Sequence, residues 1–119
     1  MPATAQLTTV IIDCADPAPL AAFYGAALGW EVVYSDPDYV QVGDGGPVRL
    51  AFQRIDGYRP PRWPDPAKHA HLDLRVDDLE AAAKELVAQG ASRPEFQPGG
   101  NEWVVLTDPQ GHPFCLVTG

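Results

Sequence analysis

Twice in this sequence an apolar run gives way, at an aspartate, to a short helical pattern closed by glycine. In the first instance Gln6 to Cys14 is apolar and β-branched, and Asp16-Pro17 then supplies a helix N-cap with proline at the first helical position. Leu20, Phe23, Tyr24, Ala27 and Leu28 fall on one face, and Gly29 is the stop. In the second, His71 to Val76 alternates polar and apolar residues as a half-buried strand does. Asp77 and Glu80 then read as a capping box for a helix carrying Leu79, Ala82, Ala83, Leu86 and Val87, ended by Gly90. Three strand signals follow each helix. They are Trp30 to Tyr34, Tyr39 to Val42 and Val48 to Ile55 in the first half, and Phe96, Trp103 to Thr107 and His112 to Val117 in the second. Turn signals separate them, among them Ser35-Asp36-Pro37, Asp44-Gly45-Gly46 and Asp108-Pro109-Gln110-Gly111.

A β-α-β-β-β half covers one sheet face with its helix and leaves the other open, so two halves can close their open faces together. The expected architecture is therefore α+β: two tandem β-α-β-β-β modules forming a cup-shaped mixed sheet with the helices outside. One domain over residues 1–119 is expected, with module one at about 6–56, a linker at 57–67 and module two at about 68–119. The linker holds four prolines and a tryptophan and has no periodic pattern. When Asp16 is matched to Asp78, Thr9 falls on His71 and Cys14 on Val76. By alternation the inward set is Thr9, Ile11 and Asp13 on the first strand and His69, His71, Asp73 and Arg75 on the fifth. On the last strand Phe114 and Leu116 suit the helix-covered face, which turns Cys115 inward.

A length of 119 residues suits one compact domain. The net charge of −8 disfavours phosphate backbones and anionic lipid surfaces as partners. No apolar run reaches the roughly 18 residues of a spanning helix, and the N-terminus lacks the regions of a signal peptide, so a cytoplasmic protein is expected. Two cysteines, Cys14 and Cys115, are too few for a disulfide framework and are expected as thiols on opposite faces of their sheets.

Three stretches, Asp16-Pro17 through Phe23-Tyr24 to Leu28-Gly29, His71 to Asp78, and Asp108 to Gly111 before the last strand, resemble the vicinal oxygen chelate superfamily. The glyoxalase-like subgroup, with its bleomycin-resistance and dioxygenase-like members, is the nearest in pattern. The resemblance implies a small-molecule ligand and a homodimer. Metal enzymes of that superfamily carry ligands on the first, fourth, fifth and eighth strands, and substrate oxygens chelate the metal, which acts as a Lewis acid. Matched position by position, only the fifth-strand histidine is kept, as His71. The first-strand position is Thr9, the eighth-strand position is Cys115, and the fourth-strand position is either Arg49 or Ala51. No cofactor is therefore expected, with a divalent metal as the alternative.

The residues bearing chemistry each have a plainer role as well. His71 can orient a ligand, act as a general base with Asp73 beside it, or be a hydrogen-bonded surface histidine. His69, His71 and Cys115 together would suit a thiophilic metal, though His69 is equally a solvated strand start. Cys115 is either a nucleophile lowered by His71 or Arg75, or a small space-filling thiol. Arg75 and Asp73 are a surface ion pair or the polar points that orient a ligand. Trp63 and Trp103 are aromatic walls, or Trp63 simply packs the linker over a sheet edge. The expected substrate-binding set is Thr9, Asp13, Trp63, His71, Asp73, Arg75, Trp103 and Cys115. Two functions follow. One is a small-molecule-binding protein or metal-independent enzyme that holds a polar metabolite or drug-like compound. The other is a metal-dependent lyase, isomerase or dioxygenase built on His71.

Overall fold

The structure is a computed structural model that describes residues 3, 6–61, 63, 64 and 70–119. Its contacts separate into two units, Met1–Arg59 and Pro60–Gly119.

The first unit runs β1 (Thr9–Cys14), α1 (Pro17–Leu28), β2 (Glu31–Asp36), β3 (Tyr39–Gly43) and β4 (Arg49–Arg54). Its sheet has the order β1-β4-β3-β2, with β1 parallel to β4 and the other neighbours antiparallel. Asp16 is the N-cap of α1 and Pro17 follows it, while Gly29 ends the helix at φ 69°, a left-handed conformation that glycine adopts without strain. One face of α1 is apolar enough to bury Pro17, Leu20, Ala21, Phe23 and Tyr24. Tyr24 stacks on Phe52 with ring centroids 5.4 Å apart, and Phe23 meets Tyr24 edge-on at 5.1 Å. Val40, Val42 and Leu50 complete this core. Cys14 is fully buried there, its Sγ 3.6 Å from the Gln53 carbonyl. The opposite sheet face carries Thr9, Ile11 and Asp13, in register with Arg49, Ala51 and Gln53. Strand β2 runs on through Ser35 and Asp36, residues that read as a turn in the sequence.

The second unit runs β5 (Leu72–Arg75), α2 (Leu79–Ala88), β6 (Val104–Thr107) and β7 (Pro113–Val117), with sheet order β5-β7-β6. As in the first unit, its first and last strands are parallel neighbours. Leu72 and Leu74 are half-buried while Asp73 and Arg75 are exposed, which is the alternation the sequence predicts. Phe114 and Leu116 are fully buried, along with Leu106. Two expectations need correcting. The cap of α2 is Asp78, whose side chain accepts from the Ala81 N–H, so Asp77 lies one residue outside the helix and forms no capping box. Phe96 lies in no strand, and the strand expected around it shrinks to one bridge between Ser92 and Thr107.

Gln97 shows why a full strand is not needed there. Its Oε1 accepts from the Val105 N–H at 2.9 Å, and its Nε2 donates to the Val105 carbonyl at 2.9 Å and the Pro94 carbonyl at 2.8 Å. One amide side chain thus makes both bonds a neighbouring strand would make to Val105. Pro94 and Pro98 flank it and have no N–H to offer a ladder.

Candidate functional site

In the second unit, a cavity of about 320 Å³ opens on the sheet face away from the buried Phe114 and Leu116. Trp63 and Trp103 wall it, and His71, Asp73 and Cys115 supply its polar groups, with Pro98, Pro113 and Val117 completing the lining. Local sequence sets each of these. His71, immediately before β5, and Asp73 within it are two residues apart along an extended segment, and the parallel register places Asp73 beside Cys115. Cys115, at 9% exposure, lies between fully buried neighbours that point the other way. Trp103 fits against Gly99, where a Cβ would stand 2.5 Å from the indole, so only glycine admits the ring in this position. Trp63 Nε1 donates to the Phe96 carbonyl at 3.0 Å, and its ring lies 6.1 Å from that of Phe96. Phe96 is therefore the platform that holds a linker residue over the cavity.

The entry to β7 is set by a buried carboxylate. Asp108, 3% exposed, accepts from the Gln110 and His112 N–H groups at 2.8 and 3.0 Å, and its Oδ2 lies 2.8 Å from His112 Nδ1. Gly111 sits at φ 92°, and a Cβ there would come within 2.7 Å of Pro60. This turn fixes where β7 starts and hence where Cys115 points.

His71 Nε2 is 3.4 Å from Asp73 Oδ1. Among the described residues, one donor atom from each of His71, Asp73 and Cys115 lies within 4.8 Å of the other two. The polar side of the cavity thus presents a nitrogen, an oxygen and a sulfur that converge on a common point.

Of the residues expected at the site, the structure brings together Trp63, His71, Asp73, Trp103 and Cys115. Arg75 is exposed at the end of β5, opposite Val117, and stands outside the described lining. Thr9 is half-buried beside Arg49, and Asp13 is exposed beside Gln53, both on the first unit's open face. His69 lies outside the described residues, as do residues 62 and 65–67 of the linker. Pro98, Pro113 and Val117 were not anticipated, because apolar lining residues give no chemical signal in a sequence.

The first unit has a broader depression of about 650 Å³ bordered by Tyr34, Asp36, Asp38, Tyr39, Gln41 and Gln53. Its carboxylates are already engaged. Tyr34 Oη donates to Asp36 at 2.7 Å, and Arg54 holds Asp38 through Nε at 2.8 Å and a second nitrogen at 2.7 Å. The Tyr34 bond holds the Asp36 carboxyl below its usual range, and the same bond raises the Tyr34 phenol. Both carboxylates that border this depression are thus held by neighbouring side chains.

The register also decides between Arg49 and Ala51. Ile11 pairs with Ala51, and its counterpart in the repeat, Asp73, pairs with Cys115, so Ala51 is the first-unit equivalent of Cys115. The metal-ligand positions implied by the resemblance are then Thr9, Ala51, His71 and Cys115. Ala51 is fully buried and has no donor atom, so these four residues do not fit the superfamily's metal.

No helix among the described residues is long and apolar enough to cross a membrane. No curated protein sequence matches the chain significantly. Solved structures do. A glyoxalase/bleomycin resistance protein/dioxygenase family enzyme from Burkholderia phytofirmans PsJN is 18% identical, with 96% of this chain and 98% of that one covered and a TM-score of 0.73. A glyoxalase-related enzyme from Fulvimarina pelagi is 21% identical over 96% of this chain and 88% of its own, at a TM-score of 0.69. The bleomycin resistance determinant encoded on the transposon Tn5 is 25% identical over 97% and 98%, at 0.60. Together with the tandem modules, the match of the Glyoxalase-like domain family over residues 9–117 shows that this chain belongs to that family.

Proposed function

We propose that this protein binds a small, partly aromatic polar compound, a metabolite or drug-like molecule, in the second-unit cavity and holds it without the superfamily's four-ligand metal. The observation that carries this reading is the pairing of two tryptophan walls with the polar cluster His71, Asp73 and Cys115. A cavity of about 320 Å³ lies in the range of small-molecule sites, which are mostly apolar with a few convergent polar groups. The indole rings supply stacking area, and the histidine and carboxylate fix orientation through hydrogen bonds. The likeness to a bleomycin resistance determinant is in keeping with a drug-like compound as the ligand class. In the same reading the protein works in the cytoplasm as a homodimer, apart from nucleic acid and membranes, in keeping with its net charge of −8.

The test is calorimetric titration with a panel of planar compounds bearing amine, hydroxyl or carboxylate groups, with a metal chelator present throughout. At least one compound is expected to bind, and Trp103→Leu is expected to weaken it about fivefold or more, given that base-sized aromatic stacking contributes roughly 1–3 kcal/mol. Tyr39→Leu, in the first unit, should leave the affinity unchanged. A panel without a binder, or binding lost in Tyr39→Leu and kept in Trp103→Leu, would overturn the proposal.

A further inference from the structure

We infer that His71, Asp73 and Cys115 form a three-donor site for a thiophilic divalent cation of the zinc type, contained within the second unit. This differs from the superfamily's arrangement in two ways. Its donors come from one module instead of two, and Asp73, a residue outside the implied ligand positions, takes the place of the donors missing at Thr9 and Ala51.

Geometry comes first. Metal–ligand lengths of about 2.0–2.3 Å at tetrahedral angles put donor atoms about 3.3–3.8 Å apart. Here the three donor atoms lie within 4.8 Å of one another before any cation draws them in. The adjustment falls on His71 and Asp73, whose side chains are 41% and 58% exposed and therefore able to rotate. Cys115, at 9% exposure on the central strand β7, supplies the fixed point.

Donor chemistry then selects the cation. One imidazole nitrogen, one carboxylate oxygen and one thiolate make a borderline-soft set, which suits zinc and cobalt(II) and not magnesium or calcium, whose ligands are oxygens. Binding requires the thiol to lose its proton, so one proton is released per cation and affinity rises with pH. Three protein ligands leave a fourth coordination position facing the tryptophan-walled cavity. The three donors stand by themselves, while the role of the fourth position rests on the proposed reading of that cavity as the binding site and adds a class of ligand group, an oxygen, nitrogen or sulfur able to fill it.

The experiment is titration of the full chain with cobalt(II) chloride, with no organic compound present, followed by absorption spectroscopy and circular dichroism. The expected result is one equivalent bound, with visible ligand-field bands and a near-ultraviolet thiolate charge-transfer band, both displaced by zinc and not by excess magnesium. Cys115→Ser should abolish the charge-transfer band. His71→Ala and Asp73→Asn should each weaken cobalt at least about tenfold, since even the loss of a ligand's outer partner costs that much. Cys14→Ser, in the first unit, should change nothing. A folded chain that binds no cobalt, or a charge-transfer band that survives Cys115→Ser, would overturn the inference. Organic compounds that still bind in excess chelator would then leave the cavity reading intact. Cobalt bound through Cys115 with no organic binder would overturn that reading and leave this one standing.

Discussion

The two units share an order of elements and divide the work of the chain unequally. In the first, α1 buries five residues, and Phe52 stacked on Tyr24, with Phe23 edge-on to it, fills the space between helix and sheet. In the second, α2 buries only Ala83 and Leu86, Val87 on its expected inner face is 44% exposed, and among the described residues the sheet has three strands where the first has four. The open face shows the reverse. Ile11 and Ala51 occupy the register positions in the first unit that Asp73 and Cys115 occupy in the second. A repeat that begins with equivalent positions can thus concentrate packing in one copy and chemistry in the other, because a residue facing away from the helix can change without disturbing the core behind it.

The largest effect that would break this comparison concerns the cores. Phe52→Ala empties a fully buried aromatic site and should cost about 3–5 kcal/mol, whereas Leu74→Ala, at a half-buried position on β5, should cost less than the roughly 2 kcal/mol at which buried leucine losses begin. Denaturant midpoints of the two variants give the measurement. A larger loss at Leu74 would show that the second unit carries the main core.

The repeat was legible in the sequence because it rests on local signals: Asp16-Pro17, Gly29, the alternation of β5, and the turn at Asp108 to Gly111. The polar cluster was legible in part. Period-two alternation put His71, Asp73 and Cys115 on one face, and Trp63 and Trp103 stood out as aromatic candidates. Their convergence was not legible, because it depends on the parallel register of β5 with β7, which joins residues far apart in sequence. The same register chose Ala51 over Arg49, two residues that alternation cannot separate. Phe96 misled for a different reason. An isolated aromatic among prolines reads as a strand fragment, yet here the ring supports Trp63 while the next residue, Gln97, satisfies the sheet edge with its side chain. Asp77 misled by one position because Asp78 is equally able to cap and is placed correctly for the Ala81 N–H.

Gln97 offers an intermediate test. Gln97→Leu keeps the volume and removes both bonds to Val105, a residue 1% exposed, so an N–H and a carbonyl lose their partner in a buried strand. Leaving a buried polar group unpaired costs about 1–3 kcal/mol. The loss should fall on the second unit, with faster hydrogen exchange at Val105 and its β7 partner Cys115 and unchanged protection in β3 and β4. Uniform loss of protection across both sheets would mean that the units unfold as one, and the contrast between them would then be one of composition alone.

The smallest effect concerns how the segment that replaces the missing strand is tied down. Arg93 reaches back to α2 and donates to both oxygens of Glu80, at 2.9 Å each. That hydrogen bond, and then the guanidinium charge, hold the Glu80 carboxyl below its usual range. A carboxyl depressed in the folded state stabilises the fold fully above the unfolded glutamate pKa of about 4.3, and the stabilisation is lost as pH falls through the lower, folded value. Both side chains are substantially exposed, so the effect is small and shrinks further in salt. Glu80→Gln should therefore lower the denaturation midpoint slightly at neutral pH and low salt. Below the folded pKa, where the wild-type carboxyl is protonated too, the two proteins should unfold together. A gap between them that stayed constant from neutral pH into strong acid would show that Glu80 acts through packing on α2 and not through its bond to Arg93.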